Sequence, residues 1–524
     1  MKPVSMRLAI ILTVIFVCSL AHAQTAPPPD LNAWVARAMQ TFEVPGMAVA
    51  IVKDGKIVLV KGYGVKKLGA PDKVDENSLF GIGSNTKAFT TAALAMLVDE
   101  KKIAWDDPVQ KYLPWFQLYD PYVTRELTIR DLLTHRSGLG LGAGDLMYFP
   151  HSTFTREEIL RNMRHIKPAT SFRSRYAYDN ALYMAAGQII PAVTGKSWDD
   201  FVRERIFQPL AMKGSSTSIS GLVKGGDVAL PHTTIDGKLT PVEPGERDDI
   251  DNIAPAGAIN SSVADMAQWV LTQLNRGVAP NGTRIFSERQ SREMWAGQTI
   301  LPINDNPPPQ LAKLKATFAE YALGWSTRDY LGHKLVGHTG GVLGYVTRVM
   351  LVPDQKLGMV ILTNGEEGGA FDSTMFHILD HYFQQPPTDW ITALKQVRDK
   401  GVEDAKAVEA KAASSRAANS GPSLPSSKYA ASYSDPWYGP VTIREETGKL
   451  VIHFEHSPGM VGELEHWQFD TFKTHWRDRT IPDAYVTFAL TSDGAIDHFT
   501  MLPVSPLADF SYDYQDLWLT PVKK

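Results

Sequence analysis

The sequence predicts an α+β protein: an antiparallel sheet covered by helices, followed by a separate small β domain or half-barrel. Three observations carry that expectation. Two β-rich apolar hairpins stand at opposite ends of the stretch up to about residue 385, helical patterns lie between and after them, and the composition shifts after Pro387.

Bulk properties narrow the classes. With 524 residues, more than one domain is expected. A hydrophobic share of 44% and a charged share of 21% exclude a wholly disordered, collagen-like or multi-span membrane protein. Lys plus Arg total 53 against 57 Asp plus Glu, so no basic surplus points to nucleic acid as a partner. The single cysteine, Cys18, removes disulfide frameworks, thiolate metal sites and cysteine nucleophiles from consideration.

The first 23 residues carry Lys2 and Arg7, an apolar run from Leu8 to Leu20, and Ala21-His22-Ala23. A basic start, a short apolar centre and an A-x-A end read as a secretory signal peptide cleaved after about Ala23. The run is shorter than the roughly 17–25 residues of a permanent span, so no stable membrane span is expected after cleavage. A short membrane anchor is the alternative. Lipidation at Cys18 is disfavoured because Ile15-Phe16-Val17 lacks small residues. The expected location is the bacterial periplasm or the medium. There a chain without disulfides must rely on core burial, for which roughly 500 residues suffice.

After Ala26-Pro27-Pro28-Pro29, Asp30 is placed to cap a helix to about Glu43. Residues 47–52 and 57–60 flank Lys53-Asp54-Gly55-Lys56, a hairpin signal. From Phe89 to Val98 the pattern turns helical, and helices are expected over Trp198–Phe207, Val263–Leu274 and Asp372–Phe383. Residues 346–352 and 357–362 flank Pro353-Asp354-Gln355-Lys356 as a second hairpin. Residues 390–417 are rich in Ala and charge without a wide apolar stripe, and 414–427 read as a Ser/Ala/Pro linker. Short β runs at 441–443, 450–452 and 485–488 follow. The expected division is a signal peptide over 1–23, a main domain over 24–389, a helical and Ser/Ala/Pro linker over 390–427 and a small β domain over 428–524.

The chain has one S-x-x-K, Ser84-Asn85-Thr86-Lys87, opening the helix that follows Gly81-Ile82-Gly83. Residues one helical turn apart face the same way, so the hydroxyl and the amine can touch. A serine alcohol is a weak nucleophile until a base takes its proton, and a lysine can do so only when neutral. Burial and nearby positive charge lower a lysine pKa, so such a base needs a dry cleft. The helix N-terminus would aim N–H groups at developing negative charge. Taken alone, the motif reads rather as a capping serine followed by a solvated lysine.

Two further elements stand in register with it. Tyr178-Asp179-Asn180 lies within the run Arg175–Tyr183, and His338-Thr339-Gly340-Gly341 precedes the second hairpin. Taken apart, Tyr178 fits a core aromatic with a satisfied hydroxyl, and Asn180 an ordinary cap. Together, in this order and spacing, the three resemble the nucleophile, Y-x-N and K-T-G motifs of the serine β-lactamase and penicillin-binding-protein superfamily, in its class C-like branch. Leu127–Leu139, Pro255–Ser262 and Tyr321–Trp325 are similar to accompanying segments, so the resemblance spans roughly residues 30–385.

That resemblance implies a β-lactamase/transpeptidase-like fold, an antiparallel sheet beside a helical subdomain, with the nucleophile at their junction. The C-terminal part resembles a small all-β module, lipocalin-like or half-barrel, attached to many relatives; covering the cleft and mediating homo-oligomer formation are the roles it suggests. For the chemistry it implies two-step acyl transfer without a cofactor. Ser84 would attack a carbonyl while Lys87 and Tyr178 move its proton, with which of the two is the principal base left open. Asn180, His338, Thr339 and Gly340 would bind substrate, and the backbone N–H groups of Ser84 and Gly341 would form the oxyanion hole.

His338 departs from the lysine of the antibiotic-hydrolysing members. A histidine titrates near 6.5 and so would offer a carboxylate only weak, pH-dependent anchoring. The H-T-G variant resembles the peptidase and esterase members: D-aminopeptidases, D-Ala-D-Ala carboxypeptidases, esterases and hydrolases of linear peptides. The expected substrate is a small peptide, amide or ester. The alternatives are a β-lactamase or carboxylesterase with the same residues, and a penicillin- or peptidoglycan-binding sensor with little turnover.

Other motifs carry less. His453-Phe454-Glu455-His456 lacks the i, i+4 pair of a helical zinc site, and in a strand His456 would face away from His453 and Glu455, so no metal site is expected. No G-x-S-x-G surrounds Ser84, which disfavours an α/β-hydrolase, and no phosphate-cradling glycine loop occurs. Trp437, Tyr438, Trp467 and Trp476 are expected to pack a small domain rather than form a ligand face.

Overall fold

A computed structural model describes residues 25–219, 221–222, 226–243, 250–417 and 419–523. The signal-peptide reading and Cys18 therefore lie outside the described residues. Eight strands form the first sheet: β1 (Gly46–Lys53), β2 (Lys56–Gly64), β3 (Thr299–Ile300), β4 (Ala319–Tyr321), β5 (Ser326–Tyr330), β6 (His333–Val342), β7 (Tyr345–Val352) and β8 (Leu357–Thr363). Their order is β2-β1-β8-β7-β6-β5-β4-β3, and every pairing is antiparallel. Strand β1 joins β8 from Met47↔Thr363 to Lys53↔Leu357, so the two sequence hairpins unite as one four-stranded half of the sheet.

Six helices of eleven or more residues occur among the described residues: α1 (Leu31–Thr41), α2 (Thr86–Asp99), α3 (Ala181–Thr194), α4 (Val263–Leu274), α5 (Gly368–Tyr382) and α6 (Trp390–Ser414). They explain why β1 is apolar without alternation. Alternate strand residues point to opposite faces. Ala48, Ala50 and Val52 enter the core shared with α2 and α4, while Met47, Val49 and Ile51 enter the core shared with α1 and α5. Helix α2 is buried at every position from Thr86 to Leu97, including Lys87 and the threonines at 86, 90 and 91. The helix expected over Trp198–Phe207 is α-helical only to Val202 and then widens into a π turn, Arg203–Phe207.

Residues 390–414 form one helix, α6. Its apolar side is as narrow as its composition suggests: Trp390, Ile391, Ala393 and Ala405 are its buried residues. Trp390 Nε1 donates to Asp380 Oδ2 at 2.9 Å, which ties its start to α5.

The second sheet comprises β9 (Ser432–Asp435), β10 (Gly439–Glu446), β11 (Lys449–Phe454), β12 (Val461–Gln468), β13 (Thr471–Trp476), β14 (Ala484–Leu490), β15 (Ile496–Pro503) and β16 (Thr520–Pro521), in the order β15-β14-β13-β12-β11-β10-β9-β16. A bridge between Phe499 and Leu519, with N–H···O distances of 2.9 and 3.1 Å, nearly closes it into a barrel. Tyr433, Phe472, Phe488 and Phe499 stack edge-on inside it, so aromatic side chains fill the interior. Trp437, Tyr438 and Trp476 are buried in the same core. The strand holding His453 ends at Phe454, and its histidine meets Glu446 at 3.0 Å while His456 stacks on Phe154. Among the described residues no group of three or more His, Cys, Asp or Glu is arranged to hold a metal ion.

The barrel is docked on the helical subdomain. Thr153 N donates to His456 O at 2.8 Å, and Phe149 packs against Tyr512 at 5.2 Å between ring centroids. Between β15 and β16 the chain leaves the barrel as an arm, residues 505–516, that reaches into the cleft beside the first sheet.

Candidate active site

Ser84 sits on a tight 3-10 turn, Gly83–Asn85, that leads directly into α2. The turn is clamped to the sheet. Thr347 Oγ1 on β7 donates to Ile82 O at 2.9 Å and accepts from Asn85 Nδ2 at 2.9 Å. The glycines of the H-T-G-G stretch permit this approach. A Cβ on Gly340 would lie 1.9 Å from Ile82 O, and one on Gly83 would lie 2.6 Å from Gly341 N. Gly341 differs, because a Cβ there meets nothing within 4 Å.

The amine of Lys87 is wholly buried and has three oxygen neighbours: Ser84 Oγ at 3.0 Å, Asn180 Oδ1 at 2.7 Å and Ala256 O at 3.0 Å. A charged ammonium donates to all three. A neutral amine donates to the two carbonyl-type acceptors and keeps its lone pair for the Ser84 proton. Burial pulls this lysine from 10.5 down to about 7, against the opposing pull of Asp145 and Asp179. The arrangement can therefore take a proton from serine near neutrality.

Tyr178 is the opposite case. Its ring lies 4.7 Å from Lys87 Nζ, and burial pushes its phenol well above the ordinary value of 10 despite a favourable contact with Ser84. It is a neutral phenol at pH 7, fit to relay or donate a proton but not to act as a phenolate base. Of the two groups, the lysine has the pKa of a base.

The expectation for His338 needs correction. It is 5% exposed, its Nε2 faces Tyr321 Oη at 2.9 Å, and its Nδ1 faces the Thr339 carbonyl. The carbonyl can only accept, so Nδ1 carries the proton and Nε2 accepts from the tyrosine. Burial, with Lys87 nearby, drives its pKa down from 6.5 to about 3. His338 is a neutral, doubly bonded group through the physiological range rather than a titrating anchor.

Asn180 is also more engaged than its sequence position suggests. Its Oδ1 accepts from Lys87 and its Nδ2 donates to Asp145 Oδ2 at 3.0 Å, which leaves one amide N–H for a ligand. Ser84, Tyr178, Asn180, His338, Thr339 and Gly341 all line one cavity of about 980 Å³, while Lys87 forms its floor beneath Ser84. Gly340 is buried behind the strand against Ile82.

Sequence reasoning missed several neighbours. His135 packs 4.3 Å from the Tyr178 ring, accepts from Asp179 N at 3.1 Å, and is held well below its ordinary pKa by burial. Tyr321 and His135 lie in segments already noted for resemblance, so a closer reading of those segments could have raised them. Asp145 and the arm residues Phe510 and Ser511 had no motif to mark them. The cavity walls are otherwise aromatic and aliphatic, with Tyr148, Phe149, Tyr176 and Tyr512 among them. Its charged lining residues are Glu366, Asp483, Asp509 and Arg479, and the arginine is engaged with Asp483 at 3.1 Å and Asp236 at 3.3 Å.

Comparison with known proteins agrees with the geometry. The pattern of the beta-lactamase family matches residues 31–382, and that of a domain of unknown function, DUF3471, matches residues 415–521. The unguisins hydrolase ungD' of Aspergillus campestris (strain IBT 28561) is 30% identical over 431 residues, 79% of this chain and 77% of that protein. Penicillin-binding protein 4 of Amycolatopsis lactamdurans is 30% identical over 370 residues, covering 67% and 90% respectively. Among solved structures, the octameric penicillin-binding protein homologue from Pyrococcus abyssi shares the fold with a TM-score of 0.59 at 22% identity, over 90% of this chain and 98% of that one. With two thirds of its length matched and a clamped serine–lysine pair at the sheet–helix junction, the chain belongs to the beta-lactamase family.

Proposed function

We propose that this protein is an exported serine hydrolase that forms an acyl-enzyme on Ser84, acting as a peptidase or amidase on small linear or D-amino-acid-containing peptides. The observation that carries the reading is the Lys87 amine. It is dry, near neutrality in pKa, fixed by two carbonyl-type acceptors, and directed at Ser84 Oγ. In the reaction, neutral Lys87 takes the Ser84 proton as Oγ attacks the substrate carbonyl, and the N–H groups of Ser84 and Gly341 receive the developing oxyanion. Tyr178, protonated, passes a proton to the leaving group and is reprotonated from Lys87. Water then attacks the acyl-enzyme by the same route in reverse, regenerating Ser84.

The cavity favours substrates without a free carboxylate near the reacting carbonyl. Neutral His338 offers no cation there, and the lining is net acidic. Slow turnover of β-lactams follows, since these carry a carboxylate. A relative named as a hydrolase of unguisins supports hydrolysis over mere binding. Export rests on the reading of residues 1–23, and none of the helices in the described residues is long and apolar enough to cross a membrane.

The test is labelling by a fluorophosphonate followed by mass spectrometry, then a panel of D- and L-aminoacyl amides, short peptides, nitrophenyl esters and nitrocefin. Label on Ser84 that disappears in Ser84→Ala, with amide or peptide turnover exceeding nitrocefin turnover, is the expected result. An equally labelled Ser84→Ala protein overturns the nucleophile. A stoichiometric burst without turnover on every substrate replaces the hydrolase reading by that of a sensor.

A further inference from the structure

The C-terminal arm does more than wall the cleft. Ser511 Oγ donates to Asp145 Oδ2 at 3.0 Å, the oxygen that also accepts from Asn180 Nδ2 at 3.0 Å. The other end of that amide accepts from Lys87 at 2.7 Å. One chain of hydrogen bonds thus runs from the barrel domain to the lysine amine, across 366 residues of sequence between Asp145 and Ser511. Asp145 is completely buried on a short turn, Asp145–Met147. The arm grips that turn a second time, because Asp513 Oδ2 accepts from Gly144 N at 2.6 Å. A third contact is steric: a Cβ on Gly142, whose φ is +69°, would lie 2.7 Å from Phe510 O.

We propose that Asp145 is a positioning residue for the Lys87 amine, and that Ser511 of the C-terminal arm holds it in that role, so that the barrel domain completes the active site. An asparagine side chain has two faces of nearly equal shape, one accepting and one donating. Lys87 requires the accepting face, and a carboxylate at the other end is what forbids the flip. Asp145 also acts on the lysine through space, since its charge favours the ammonium. Burial pushes this carboxyl up to about 7, while Tyr148, Asn180 and Ser511 favour its charged form. The other ionisable groups facing the pair include Asp179, Asp513, Tyr178, Tyr183 with its ring 5.2 Å from the lysine amine, Tyr148, His135 and His338. Burial holds all of them toward their neutral forms.

The proposal rests on Lys87 being the base for Ser84, and the experiment separates the two. Single-turnover acylation of the full-length protein by p-nitrophenyl acetate is followed from pH 5 to 10, alongside fluorophosphonate labelling and thermal unfolding. Asp145→Asn removes the charge that favours the ammonium, so the acid limb of the acylation rate moves about one unit down in pH. The plateau falls about tenfold as the Asn180 amide loses its fixed direction. Ser511→Ala, a milder change that serves if Asp145→Asn fails to fold, shifts the limb the same way by less, and Ser511→Thr restores it. Variants whose limb and plateau match the wild type overturn the proposal, as does loss of active-site titre without a shift of the limb. In both of those cases the wild type is still labelled on Ser84, and the hydrolase reading stands. Absence of any Ser84 label in the wild type overturns both.

Discussion

Replacing Lys87 by methionine keeps the length and apolar bulk of the side chain and deletes the amine. A lysine at 10.5 would present about 3 molecules in 10⁴ as neutral amine at pH 7, whereas one at about 7 presents half. Burial of Lys87 therefore raises the population of competent base about 10³-fold at neutral pH. General-base assistance of this kind contributes about 10²–10⁴-fold to rate, and Lys87→Met is expected to lose that factor in the acylation of Ser84. The wild-type rate should climb about tenfold per pH unit below pH 6 and level above about pH 8, the signature of one group that must lose a proton near 7. In Lys87→Met the limb should vanish with the rate. Stopped-flow release of nitrophenol from an ester in a single turnover measures both, with mass spectrometry confirming the acyl-Ser84 adduct. A wild-type limb centred at pH 9 or above, or a Lys87→Met protein that keeps a limb near 7, would refute the assignment of the base.

Gly340→Ala places a methyl 1.9 Å from Ile82 O, and the strand must move off the nucleophile turn; a loss of about 2–4 kcal/mol in thermal unfolding and near-complete loss of acylation are expected. Gly341→Ala meets open space, so stability should stay within about 0.5 kcal/mol while the methyl in the cleft raises KM. Thr347→Val removes the hydroxyl that bridges Ile82 O and Asn85 Nδ2; a cost of about 1–3 kcal/mol by denaturant titration and a lower acylation rate are expected. Phe510→Ala removes the arm ring packed edge-on against Tyr178 at 5.9 Å, and kcat/KM for bulky esters should rise relative to that for acetate esters.

What the sequence disclosed and what it hid divide along a physical line. Hairpins, helix α2 and the S-x-x-K face were legible because they depend on residues a few positions apart. The local period that makes Ala48 and Met47 face opposite cores can be read off eight letters. The state of His338 could not be read. Whether an imidazole titrates near 6.5 or about 3 depends on the depth of burial and on the nearby Lys87, against the Thr339 carbonyl, and tertiary structure supplies the burial. The same holds for Asn180, whose bonds to Lys87 and Asp145 depend on segments far from it in sequence. The docking of helix α6 was hidden for a different reason: a helix that packs through Trp390, Ile391, Ala393 and Ala405 alone shows no wide apolar stripe, so its letters give a helical linker and not the face it docks.

These particulars bear on why the site tolerates so much buried charge-capable chemistry. Lys87, Asp145 and Asp179 are all out of water, and isolated ions there would be costly. Burial moves the two toward each other, Lys87 down and Asp145 up, while the charge of each favours the ionised form of the other. On the proposed route, a proton passed from Ser84 to Lys87 arrives where a carboxylate stands one amide away. That matching needs the carboxylate to stay put, and its fixed partners are Asn180 within the main domain and Ser511 outside it. A main domain without the barrel would keep the S-x-x-K, Y-x-N and H-T-G residues and still lose the contact that balances its base.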